Sequence, residues 1–143
     1  MTAAETVRTS RKKHPSVLIV DDNVGLATCL EMLLEAHDYE VWRTSDGVGG
    51  LESIKLKDFD VVLCDMVLPG LSGELLHAAV HVFKPSICHR FIFMSGHPDK
   101  ARTEAGEFCM GRPVFRKPFA LDQLLNGIEN VVNSTSGELA KSV

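Results

Sequence analysis

Three short apolar runs in this chain end in charged residues, and that punctuation limits the fold more than any other feature. Val17-Leu18-Ile19-Val20 ends in Asp21 and Asp22, Val61-Val62-Leu63-Cys64 in Asp65, and Val114-Phe115-Arg116 in Lys117. All three read as strands, and the one from Phe59 to Cys64, interrupted only by Asp60, as a strand buried on both faces, the habit of parallel sheets. In a parallel arrangement all four side chains meet at the carboxyl edge of one sheet. Open α/β folds bind their ligands at that edge. Three carboxylates crowded there repel one another unless a cation joins them. The pattern asks for a divalent metal and points to chemistry on phosphate.

The intervening sequence supports the parallel arrangement. Strand patterns at 16–20, 40–44, 59–64, 91–94 and 114–116 alternate with helical patterns at 24–37, 47–57, 73–83, 98–108 and 120–132. The first helix carries Leu26, Leu30, Leu33 and Leu34 at the spacing of one buried face. The second uses Leu51, Ile54 and Val48, although its start is weakened by Gly47, Gly49 and Gly50. In the third, Leu75, Leu76, Ala79 and Phe83 are expected to face inward. The fourth is the poorest, with Gly106 in mid-run. The last uses Leu121, Leu124, Leu125, Ile128 and Val131. Five strand–helix units in succession mean an α/β doubly wound parallel sheet, with helices on both faces and right-handed crossovers.

At 143 residues the chain has the length of one domain. The expected organisation is a flexible, basic N-terminal arm over 1–15, the domain over 16–133, and a tail over 134–143, where Asn133-Ser134-Thr135-Ser136-Gly137 is expected to stop the last helix. A formal net charge of −4 disfavours nucleic acid as a direct partner. Cys29, Cys64, Cys88 and Cys109 form no CxxC pair and read as reduced core residues rather than a disulfide or zinc framework. No apolar stretch approaches membrane-spanning length, so a cytoplasmic location with no membrane partner is expected.

Each polar residue at the edge has two readings. Asp65 can attack phosphorus to give an acyl phosphate, or it can cap a turn. Asp21 and Asp22 can hold Mg²⁺ beside Asp65, with a backbone carbonyl near Val67 completing the set. Either can instead cap the helix near Val24. Lys117 can pair with Asp65 and later with a phosphoryl oxygen, or lie on the surface. Pro118 keeps Lys117 out of helical geometry, so it ends a strand. Ser95, followed by Gly96, can bond a phosphoryl oxygen or cap the helix after Pro98.

Four segments together, Val20-Asp21-Asp22-Asn23, Cys64 to Gly73, Phe93-Met94-Ser95-Gly96 and Arg116-Lys117-Pro118-Phe119, resemble the receiver domain of bacterial two-component signalling. The resemblance spans roughly residues 16–133, about the size of one domain. It implies a flavodoxin-like (βα)5 fold with sheet order 2-1-3-4-5. It also implies that Asp65 takes a phosphoryl group from the phosphohistidine of a sensor histidine kinase or phosphotransfer protein. Asp21 and Asp22 would hold Mg²⁺, and Ser95 and Lys117 would bind the phosphoryl group and relay its presence to a downstream protein partner. Such a chain is a switch rather than an enzyme, with a monomer or weak homodimer expected. The alternative is a pseudo-receiver, an interaction module without phosphotransfer. An aspartyl phosphatase would need a second acid where Val67 stands, and a flavin phosphate would be repelled by Asp21 and Asp22.

The chain departs from the family pattern in one respect. Many receivers carry Tyr or Phe three residues before the lysine; Val114 stands there, and strand alternation sends Phe115 to the opposite face. Val67 and His97, two residues after Asp65 and Ser95, are candidates for setting how fast water reaches the phosphoryl group.

Overall fold

The computed structural model describes residues 14–96, 102–103 and 106–141. In chain order the elements are β1 (Ser16–Val20), α1 (Val24–Ala36), β2 (Glu40–Thr44), α2 (Gly47–Leu56), β3 (Val61–Asp65), α3 (Gly73–Phe83), α4 (Pro85–Cys88), β4 (Phe91–Ser95), β5 (Arg102–Thr103), β6 (Gly106–Cys109), β7 (Arg112–Arg116) and α5 (Leu121–Lys141). They form one seven-stranded sheet in the order β2-β1-β3-β4-β7-β6-β5. Its first five strands are parallel, and β7 fills the fifth place of the expected 2-1-3-4-5 order. The fold is α/β and flavodoxin-like.

The core lies on both faces of the sheet because β1, β3 and β4 are buried throughout. Their side chains alternate between two layers, as the pleat requires. Leu18, Val20, Val62, Cys64, Phe91 and Phe93 pack with Ile54 of α2, Leu76 and Val80 of α3 and Ile87 of α4. Val17, Ile19, Val61, Leu63, Ile92 and Met94 pack with Ala27, Leu30 and Leu34 of α1 and Leu124, Ile128 and Val131 of α5. Val114 joins the first layer. Phe115 joins the second, its ring against Gly127 of α5 and edge-on to Phe119. The sequence expectation for this pair holds.

Five expectations are corrected. Val48 and Leu121, expected on buried helix faces, are exposed. Cys29, expected in the core, is exposed. The helix expected over 98–108 is not what its described residues form. Arg102–Thr103 and Gly106–Cys109 are strands, and β6 pairs antiparallel with both β5 and β7. Gly106 and the scarcity of large apolar residues leave no helical face to bury, so pairing with the open edge of β7 prevails. Residues 97–101 and 104–105, including His97, lie outside the described residues. The last helix continues past Asn133–Gly137 to Lys141. Ser, Thr and Asn lower helix propensity only slightly, and no proline stops the chain there. In α3 the inward residues are Gly73, Leu76, His77 and Val80, while Leu75 and Phe83 face outward.

Candidate functional site

The carboxyl ends of β1, β3, β4 and β7 converge as the strand-end pattern requires. Asp21 follows β1 and donates its backbone N–H to the Thr44 carbonyl at 3.1 Å, which ties it to the end of β2. Its side chain accepts from Asn23 N–H at 2.9 Å. Asn23, not either aspartate, caps α1, accepting from Leu26 N–H at 3.0 Å. The cap reading of Asp21 and Asp22 is thereby removed, and both carboxylates remain at the edge. Asp21 is buried and Asp22 exposed.

Asp65 is the last residue of β3, in register with Met94 of β4. Its Oδ1 accepts from Val67 N–H at 3.1 Å, a bond that holds the carboxylate over the start of the following loop. Val67 itself is exposed. That loop returns so tightly that Gly73 N–H donates to the Met66 carbonyl at 3.1 Å. A Cβ at Gly73 would lie 2.5 Å from the Asp65 carbonyl oxygen, so only glycine fits beneath the acidic residue. Ser72 then caps α3 through Leu75 N–H at 3.2 Å.

Ser95 ends β4 fully buried, and its carbonyl accepts from Lys117 N–H at 2.7 Å. Lys117 follows β7, and its Nζ reaches across the edge. It lies 2.9 Å from Asp21 Oδ2 and 3.0 Å from Asp65 Oδ2, so one ammonium joins two buried carboxylates. Asp21, Asp22 and Asp65 each bring a carboxylate oxygen within 4.8 Å of the others, forming a candidate metal-ion site. Hard oxygen donors in this number suit Mg²⁺, which binds through one or two carboxylates and keeps several waters.

The electrostatics follow from burial against pairing. Burial pushes the Asp65 carboxyl above the usual carboxylate range and the Asp21 charge adds to the rise, while Val67 N–H and Lys117 oppose it. Burial pulls Lys117 down, but its bonds to Asp21 and Asp65 outweigh that and hold the ammonium above its ordinary value. Cys64, behind Asp65, is pushed far up by burial, with the Asp65 and Asp21 charges adding, so it remains a thiol.

The structure thus brings together Asp21, Asp22, Asp65 and Lys117, with Ser95 at the neighbouring strand end. Reading the sequence did not assign Asn23 its cap or Gly73 its place under Asp65. The Asn immediately before the first apolar helical position was a usable signal for the cap. Gly73 had no local signal, because its neighbour is eight residues away in the chain.

Comparison with known proteins agrees with this geometry. The response regulator receiver domain profile matches residues 17–129. The chain is 30% identical over 128 residues to the cell cycle response regulator CtrA of Brucella ovis, covering 89% of this chain and 53% of that protein. It spans about half the length of such relatives. A putative response regulator from Chloroflexus aurantiacus superposes with a TM-score of 0.72 at 29% identity, over 85% of this chain and 99% of that one. A CheY-like receiver domain protein from Methanospirillum hungatei superposes with a TM-score of 0.74 at 23% identity, over 87% and 98%, and bears on the fold alone. Among the described residues no helix is long and apolar enough to cross a membrane. With the strand-end acids, the bridging lysine and the sheet order all in place, the chain belongs to the response regulator receiver domains of two-component signalling.

Proposed function

We propose that the chain is a phosphoacceptor switch in which Asp65 receives the phosphoryl group. An Asp65 carboxylate oxygen attacks the phosphorus of a phosphohistidine. The new P–O bond forms as the P–N bond breaks, and the electron pair leaves on the imidazole nitrogen of the donor. The donor is a sensor histidine kinase or a phosphotransfer protein. The reading is carried by one observation: the Lys117 ammonium bonded to both Asp21 and Asp65. A cation held there neutralises the acceptor before transfer and is within reach of phosphoryl oxygens afterwards. Asp21, Asp22, Asp65 and the Val67 carbonyl oxygen would hold Mg²⁺, which supplies charge neutralisation at the transferring group. Ser95 offers a hydroxyl to the same group. Val67 and His97 govern how readily water reaches it. The chain catalyses only its own phosphorylation and dephosphorylation.

The signal leaves through a protein partner. The usual aromatic reporter position is Val114, buried in the core layer beneath β7. We infer that movement is carried instead by the backbone link from Lys117 N–H to the Ser95 carbonyl, which couples the ends of β4 and β7.

Incubation with Mg²⁺ and a small acyl-phosphate donor, read by intact mass, tests the assignment. Wild type gains one phosphoryl adduct, Asp65→Asn none, and Asp21→Asn and Asp22→Asn only slowly. An adduct that survives Asp65→Asn would overturn it.

A further inference from the structure

Helix α3 is apolar nearly all round. Of Gly73 to Phe83, only Glu74, His77 and His81 are polar, and His77 is buried. At 100° per residue, Gly73, Leu76, His77 and Val80 fill an arc of about 100° against the sheet. Leu75, Ala78, Ala79 and Val82 fill a second arc of about 100° on the far side. A helix between core and water carries polar residues there. Here Leu75 is 58% and Val82 is 83% exposed, with Ala78 exposed between them. Phe83, 40% exposed, ends the helix with the Lys55 ammonium of α2 5.7 Å from its ring centre. The pattern is that of a helix with a second partner.

We propose that this partner is a second copy of the chain, packed α3 against α3 in an antiparallel two-fold dimer. The stripe is symmetric about the midpoint between Ala78 and Ala79. A two-fold axis there sets Leu75 against Val82 of the second copy and Ala78 against Ala79 of the second copy. The small residues fall at the centre, where the helix backbones approach, and the large ones fill the ends. A two-fold interface must be self-complementary in this way. The polar flank obeys the same symmetry. Glu74 and His81 lie on one side of the stripe, and a two-fold axis across an antiparallel pair brings like flanks together with direction reversed. Glu74 of one copy then comes within about two residues' rise, roughly 3 Å along the axis, of His81 of the other. Each dimer contains that carboxylate–imidazole pairing twice. One helix face and its margin make a small interface, so the dimer is weak and reversible.

Sedimentation equilibrium of the whole chain, from about 10 µM to about 1 mM, reads the association directly. Wild type shifts from monomer to dimer across that range. Ala78→Glu places two like charges at the axis and holds the chain monomeric, as does Val82→Lys. Both positions are exposed, and unchanged circular dichroism checks the fold. Glu74→Lys and His81→Glu each weaken the dimer about tenfold, and the double exchange restores it, because it again sets one carboxylate against one hydrogen-bond donor. Three results would overturn the proposal: a wild type monomeric throughout, a dimer that persists in Ala78→Glu, or a double exchange as weak as the single variants. Since phosphorylation is not needed, its failure is independent of the Asp65 assignment.

Discussion

Replacing Lys117 by methionine keeps an unbranched side chain, one atom shorter, and removes the ammonium with its charge and its hydrogen bonds to Asp21 and Asp65. The ammonium it removes lies 2.9 Å from Asp21 Oδ2 and 3.0 Å from Asp65 Oδ2. Asp21 is 2% exposed and Asp65 7%, so neither carboxylate can turn to water for compensation. The two acids are left with oxygens within 4.8 Å of each other. At an effective dielectric near 20, two unit charges at that distance repel by about 3.5 kcal/mol. Loss of one partner from a buried pair costs about 3–5 kcal/mol in general. The Lys117 side chain is 23% exposed, which reduces that figure. The expected loss for Lys117→Met is about 2–3 kcal/mol at neutral pH without divalent cations, read by urea denaturation. The pH dependence supplies the sign. In wild type the Lys117 pKa is held above its usual 10.5, so its contribution is whole at neutral pH and fades only as pH rises through the raised value. In the variant Asp65 loses the opposition of Lys117, and its pKa rises further above the usual 3.8. The destabilisation is therefore full at neutral pH and shrinks as pH falls through the raised value toward 3.8. Added Mg²⁺ should also narrow the gap. A variant as stable as wild type, or a deficit equal at neutral and mildly acid pH, would refute the argument that Lys117 neutralises the buried pair.

Gly73→Ala should cost about 1–3 kcal/mol and slow adduct formation at Asp65, because the added Cβ meets backbone atoms that cannot turn aside, the nearest 2.5 Å away. Urea denaturation and phosphoryl uptake by intact mass check both parts. Asn23→Ala removes the bond to Leu26 N–H and should lower stability by about 1 kcal/mol, measured the same way. His77 is buried beside Phe91 and Phe93, with Nε2 3.3 Å from the Cys88 carbonyl and no partner for Nδ1 among the described residues. Burial lowers its pKa below the usual 6.5, so its contribution is present above that pH and lost as pH falls through the lowered value. His77→Leu should flatten the acid side of a melting-temperature profile, and an unchanged slope would refute this.

The site was more legible than the packing. Asp21 and Asp65 could be placed from the sequence because each follows a continuous apolar run, and Lys117 because it follows Val114-Phe115-Arg116 and precedes Pro118; the edge on which they meet follows from the parallel topology. The roles of Asn23 and Gly73 were harder. Asn23 competes with two neighbouring acids for one cap, and Gly73 matters only through a backbone atom eight residues away.

What local sequence determined, then, is where the strands run, which of them are buried on both faces, and which charges stand at their ends. The tertiary structure decided the rest. Residues 106–109 are strand rather than helix because β7 pairs with them as a hairpin closed across Met110 and Gly111, and residues 102–103 pair in turn with β6; helical periodicity does not report that pairing. Helix α3 turns Leu76 and Val80 inward and leaves Leu75 and Val82 in solvent, although all four are apolar. Periodicity can select a buried face only when the opposite face is polar. On α3 it is not, so packing against the sheet made the choice and left the second apolar stripe outside.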